Sequence, residues 1–194
     1  MRIITWNCLG AFRRKAEHIA KFKPDLAIIQ ECERAEKLIF KDGFQPRVIQ
    51  WYGDVGVPKG IGIFGYANLS IELAADYYDA TIRHCIPLRV RGLYQFNLIA
   101  IWAMPHKGDR RLSYIGQVWQ ALNRYRSFIR ERDTLLVGDF NSNKIFDRAR
   151  EEGNHSRVVE ILEQEGILSV YHEHFHESPG DETRPTFYLY KDMT

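Results

Sequence analysis

The sequence predicts a mixed α/β domain with two β-sheets and helices on the outside. Three observations lead there. Apolar runs of strand length recur along the chain, two of them separated by a helix-spaced segment. Five further runs follow with only short polar or glycine-containing breaks, the pattern of an antiparallel meander. A long amphipathic segment then separates the meander from one more apolar run. Two sheets with helices outside fit this order better than a single parallel sheet.

The elements follow in chain order. Arg2 to Trp6 is a β-branched strand, and "CLGAF" turns the chain away from it. Ala16, Ile19, Ala20 and Phe22 recur at roughly helical spacing, and Pro24 ends that helix. "DLAIIQE" is a second strand, parallel to the first because a helix lies between them. The meander comprises "PRVIQWYG", "GIGIFGYA", "SIELA", "ATIRHCIPLRV" and "YQFNLIAIWAM". Leu112, Ile115, Val118, Leu122, Tyr125 and Ile129 are spaced by three or four and mark a long helix. The strand "TLLVGDFNSN" comes next, then a helix from Ser156 to Glu165 and a short strand at "LSVYHEHF". No linker or low-complexity tract interrupts the series, so residues 1–194 read as one domain of 22.8 kDa.

Composition narrows the function classes only a little. A net charge of +2 permits a phosphate-bearing partner but is weaker than the bias of dedicated nucleic-acid modules. Cys8, Cys32 and Cys85 are an odd number without C-x-x-C spacing, which points to free thiols in a reducing compartment. The N-terminus enters a strand at once, leaving no room for a signal peptide, and no apolar run reaches membrane-spanning length. A cytoplasmic protein without membrane contact is the expectation.

Two motifs carry alternative chemistries. "GIGIFG" satisfies G-x-G-x-x-G through Gly60, Gly62 and Gly65, but a dinucleotide fingerprint must open a helix. Here another strand-like run follows, so the glycines mark a bulge or a close backbone approach. "YHEHFHE" sets His172, His174 and His176 at alternate positions, which on a strand would face one side. A metal site and a solvated edge are both compatible with that spacing, and one of the three could instead reach a phosphate.

The sharper signal is distributed. Asn7 ends the first strand, Glu31 lies just beyond the apolar run of the second, and Asp139 and Asn141 follow the apolar start of "TLLVGDFNSN". Three strands distant in sequence thus each deliver Asn, Glu or Asp at their carboxyl ends. Converged, these side chains offer oxygen ligands and no sulfur, a set that selects Mg²⁺ or Mn²⁺. Mg²⁺ needs only one or two protein carboxylates, its other positions going to water and substrate phosphate.

"TWN" at 5–7, "QE" at 30–31 and "GDFN" at 138–141, in this order, resemble the endonuclease/exonuclease/phosphatase superfamily. The resemblance extends to "RPTFYLY", similar to the family's "TF" segment. It implies a four-layer αββα sandwich of two mixed β-sheets and a divalent-metal-dependent phosphoesterase. Glu31 would be the principal metal ligand with Asn7 beside it. Asp139 would position and deprotonate the attacking water, and Asn141 would bond the scissile phosphate. The implied substrate is a phosphodiester, in DNA, in RNA or in a small molecule. For further phosphate contacts the resemblance offers Trp102, which is equally a packing residue, His106 from the following loop, and Asn143, which is equally a turn residue. His172 joins this set.

The sequence departs from the family at its end. An Asp hairpin and a Ser-Asp-His segment are expected after the TF segment, but "FYLYKDMT" holds neither, and Asp192 has no His behind it. The resemblance therefore implies a sheet incomplete at the C-terminus, with an exposed edge that favours self-association. It also leaves a second function open: a phosphate- or nucleic-acid-binding fragment with impaired or no turnover.

Overall fold

The computed structural model describes residues 1–40, 43–148 and 153–186. The residues of the "TF" segment from Phe187 onward, and Asp192, lie outside them.

Two four-stranded sheets face each other. The first has the order β1-β2-β4-β3, built from β1 (Ile3–Asn7), β2 (Leu26–Glu33), β4 (Lys59–Gly65) and β3 (Val48–Tyr52). The second runs β5 (Ser70–Leu73), β6 (Cys85–Arg91), β7 (Phe96–Trp102) and β8 (Thr134–Asp139). Both are mixed: β1 pairs parallel with β2 and β7 with β8, and the remaining pairs are antiparallel.

Side-chain alternation builds the layers. Leu26 and Ile28 of β2, Ile61 and Ile63 of β4, and Leu98, Ala100 and Trp102 of β7 fill the core between the sheets. Their neighbours Ala27 and Ile29 point outward to Phe12, Ala16 and Ile19 of the first helical layer. Ile99 and Ile101 point the other way, to Val118, Leu122, Tyr125, Phe128 and Val158 of the second. The result is an α/β/β/α sandwich. The central strands are buried on both faces, which is why they read as unbroken apolar runs.

The outer layers contain α1 (Phe12–Lys15), α2 (Glu17–Ala20), α3 (Ile115–Arg124), α4 (Arg126–Glu131), α5 (His155–Gln164) and α6 (Val170–Phe175). The long predicted helix is thus α3 and α4, which meet at Tyr125. The glycines of "GIGIFG" lie inside β4, in mid-sheet, as expected. At Gly60 a Cβ would stand 2.3 Å from the Tyr52 carbonyl oxygen, a close backbone approach rather than a phosphate cradle.

Two expectations are corrected. The strand at "ATIRHCIPLRV" begins only at Cys85, because the Asp79 carboxylate accepts from Thr81 N–H at 2.9 Å and Thr81 Oγ1 at 2.6 Å and closes a turn. "LSVYHEHF" is helical, not a strand. The Ser169 side chain caps α6, and Tyr171 and Phe175, four apart on one helical face, bring their rings within 4.8 Å. The three histidines therefore do not share a face as they would on a strand. All three cysteines are free and buried, and burial pushes the Cys8 thiol up to about 11. No described helix is long and apolar enough to cross a membrane.

Candidate metal and phosphate site

β1 and β8 are edge strands of different sheets, and both end on the same side of the sandwich. Asn7, the last residue of β1, and Asp139, the last of β8, meet there: Asn7 Nδ2 donates to Asp139 Oδ2 at 2.8 Å. The same amide donates to Glu31 Oε1 at 3.2 Å. Asn7 Oδ1 accepts from Leu9 N–H at 3.1 Å, which fixes the orientation of the amide. One side chain thus joins two carboxylates held by two sheets.

Glu31 owes its aim to a β-bulge. β2 pairs with β4 at Ile29↔Gly62 and then at Cys32↔Gly60, so one extra residue of β2 is accommodated between them. Glu31 lies in this bulge with φ 56°, a left-handed conformation uncommon for a non-glycine residue. The bulge frees the side chain from the alternation that would fix its face.

Asp139 follows Gly138, whose φ of +149° is glycine territory. The carboxylate is held from three directions. Besides Asn7, it accepts Asn141 N–H on Oδ1 at 2.9 Å and Asn141 Nδ2 on Oδ2 at 3.1 Å. Asn141 Nδ2 also donates to the Ala103 carbonyl at 2.8 Å, tying this turn to the end of β7.

Asn7, Glu31, Asp139 and Asn141 therefore form one cluster. The other candidates are placed differently. Trp102 is the strand neighbour of Asp139, yet its side chain is buried in the inter-sheet core and packs on His84 with ring centroids 5.0 Å apart. His106 sits in the loop after β7, where its Nδ1 accepts Asp109 N–H at 3.3 Å. Asn143 and His172 meet at a second cluster, on Glu182. That carboxylate accepts from Gly180 N–H at 3.0 Å and Asn143 Nδ2 at 2.9 Å, and lies 3.1 Å from His172 Nε2. Asn143 Oδ1 also accepts Ile145 N–H at 3.0 Å, so its turn role is realised.

Burial opposes the charge on Glu182, but these hydrogen bonds outweigh it and lower the carboxyl from 4.5 to about 2. A depressed carboxyl stabilises above its unfolded value and loses that contribution as pH falls through its folded value. Docking of the 170–182 segment on the Asn143 turn is therefore expected to hold above pH ~4.5 and to weaken toward pH ~2. Hydrogen exchange of these amides checks it: Glu182→Gln should exchange faster than wild type at neutral pH, and the two should converge in acid. Equal exchange at neutral pH would contradict it.

Sequence reasoning missed two residues at the main cluster. Lys59 Nζ lies 2.5 Å from Glu31 Oε2. Glu33, buried, accepts Phe12 N–H at 2.6 Å and Arg13 N–H at 3.1 Å and pairs with the Arg13 guanidinium at 2.8 Å. Burial raises the Glu33 carboxyl, and these bonds more than reverse that and hold it below its ordinary value. Glu33 thereby anchors the turn that follows Asn7. A lysine at the entry of an apolar, glycine-rich strand and a carboxylate two residues beyond Glu31 were the available signals.

The basic residues that follow β1 and β7 divide. Arg13 is paired with Glu33, Lys15 donates to the Cys8 carbonyl at 2.5 Å and Arg111 pairs with Asp109 at 3.0 Å. Arg14 and Lys107 are exposed. Among the described residues no group of three or more His, Cys, Asp or Glu side chains is arranged to hold a metal ion. A cation here would rest on carboxylate oxygen, Glu31 first, since Asn7 turns its Nδ2 toward the carboxylates and its Oδ1 to Leu9 N–H.

This two-sheet α/β architecture is the fold of the endonuclease/exonuclease/phosphatase proteins. Among solved structures it is similar to the endonuclease domain of TRAS1, a telomere-specific non-LTR retrotransposon, with a TM-score of 0.57 and 15% identity over 88% of this chain and 76% of that one. It is also similar to an endonuclease/exonuclease/phosphatase family protein from Leptotrichia buccalis, with a TM-score of 0.50 and 15% identity over 88% of this chain and 75% of that one. For a humanized D. rerio TDP2 the TM-score is 0.54, at 15% identity over 87% of this chain and 72% of that one. No protein-family model and no curated protein matches the sequence.

Proposed function

We propose that the chain is a divalent-metal-dependent phosphoesterase acting on phosphodiester bonds, in nucleic acid or in a small molecule. The reading is carried by one observation: Asn7 bridges Glu31 and Asp139 at the converging ends of strands from both sheets. The donor set suits a hard cation, being carboxylate oxygen with no sulfur or imidazole. Glu31, with Asn7 beside it, would hold Mg²⁺ or Mn²⁺. When bound, the ion supplies positive charge that stabilises the phosphoryl oxygens and the leaving oxygen.

The chain's own residues supply the rest. Asp139 orients the attacking water and takes its proton. Its hydrogen bonds from Asn7 and Asn141 fix the carboxylate direction beforehand, so little reorganisation accompanies the reaction. Asn141 Nδ2, exchanging its bond to the Ala103 carbonyl for one to a phosphate oxygen, would donate there without adding repulsive charge. Arg14 and Lys107 are exposed cations able to meet flanking phosphates.

A second reading, phosphate binding without turnover, is favoured by the Lys59 ammonium on Glu31, which supplies a positive charge where the ion would sit. One assay separates the two. Purified chain is expected to hydrolyse bis(p-nitrophenyl) phosphate or nick DNA in Mg²⁺ or Mn²⁺ and to stop in EDTA. Binding of oligonucleotide without hydrolysis favours the second reading, and hydrolysis that persists in EDTA contradicts the first.

A further inference from the structure

We propose that Lys59 is a resident counter-cation of the site: it holds and neutralises Glu31 in the metal-free protein and yields the carboxylate when a divalent ion binds. The inference rests on the reading of Glu31 as the cation ligand and adds a residue that sets how readily the ion is taken up.

The backbone builds this pair from three features. Antiparallel pairing places Lys59 opposite Glu33, at the mouth of β4. The bulge in β2 brings Glu31 off its regular face and onto the lysine. The stem of Lys59 then passes beneath the turn after β1, where a Cβ on Gly10 would stand only 3.2 Å from Lys59 Cε. Gly10 has φ +77° and carries no side chain, so the turn can lie directly on the lysine.

The electrostatics are one-sided. Asn7 gives Glu31 an uncharged donor at 3.2 Å, whereas Lys59 gives it a full charge at 2.5 Å. The Glu31 side chain is only 17% exposed, so an unpaired carboxylate there would lose solvation without compensation. Lys59, at 39% side-chain exposure, has a route to solvent and a flexible four-carbon stem that can swing away. An ammonium and a divalent cation on the same carboxylate oxygen repel one another, so occupancy by one disfavours the other.

Mn²⁺ binding, read by the electron paramagnetic resonance of the free ion, tests this without any turnover. Lys59→Met is expected to bind Mn²⁺ about fivefold more tightly than wild type, the scale of one partly exposed ion pair. Lys59→Arg keeps the charge and should stay near wild type, while Glu31→Gln should bind most weakly. Equal or weaker binding by Lys59→Met, with binding still lost in Glu31→Gln, overturns the proposal and leaves the Glu31 reading standing. Binding indifferent to Glu31→Gln, or no binding by wild type and Lys59→Met alike, overturns that reading and the proposal with it. Lys59→Gln is measured in parallel. Failure of both neutral variants to fold would mark Lys59 as a structural cation and overturn the proposal.

Discussion

Asp139→Ala is expected to lower phosphodiester hydrolysis by about 10²–10⁴-fold, the usual contribution of a positioned general base. The side chain sits at the last residue of β8, where the backbone is secured independently: Ala103 N–H donates to the Asp139 carbonyl at 2.8 Å. Removing the carboxylate therefore leaves the strand in place. What is lost is the acceptor that Asn7 and both donors of Asn141 converge on. The Asn7 amide keeps its Glu31 bond, so metal binding should fall much less than turnover. Steady-state hydrolysis, with Mn²⁺ binding measured on the same preparation, checks both parts. Activity within a few-fold of wild type would remove Asp139 from the reaction.

Gly138→Ala is expected to be the most destabilising single change near the site, by about 3 kcal/mol or more, since strain and overpacking add. A Cβ at this position would lie 1.9 Å from the Ile101 carbonyl oxygen and 2.7 Å from its carbon. These are backbone atoms of the neighbouring central strand, which cannot rotate aside as a side chain can. The φ of +149° adds a conformation that alanine adopts only at a cost. The β7–β8 register passes through Ile101↔Gly138 to Trp102↔Asp139, so relief of the clash displaces Asp139 as well. The urea midpoint should drop and residual hydrolysis should fall with it. An unchanged midpoint would refute the clash.

The glycine thus explains part of "GDFN" in physical terms. Gly138 permits the approach of β8 to β7, Asp139 and Asn141 supply the polar edge, and Phe140 packs back against the helical-layer core. Each residue of the four is constrained for a different reason, which is why so short a segment is so informative in the sequence. "QE" is less so, because the bulge and the left-handed Glu31 arise from pairing with β4. The helix at 170–175 shows the reverse failure. "LSVYHEHF" reads as a short strand, yet a serine cap and an aromatic pair four residues apart favour a helical turn. Lys59 gave the least warning: its charge precedes a run of glycines and isoleucines, and only strand register together with the β2 bulge brings it to Glu31.

The sequence by itself determined the layer plan and the identity of the polar strand ends. Apolar periodicity reports which faces are buried, and the carboxyl-end Asn, Glu and Asp interrupt it abruptly enough to stand out. Only the tertiary structure decided that Asn7 joins Glu31 to Asp139, that Lys59 sits on the same carboxylate, and that Trp102 turns into the core beside them. These contacts join residues far apart in the chain. They depend on register, a bulge and the facing of two sheets, none of which a local pattern encodes.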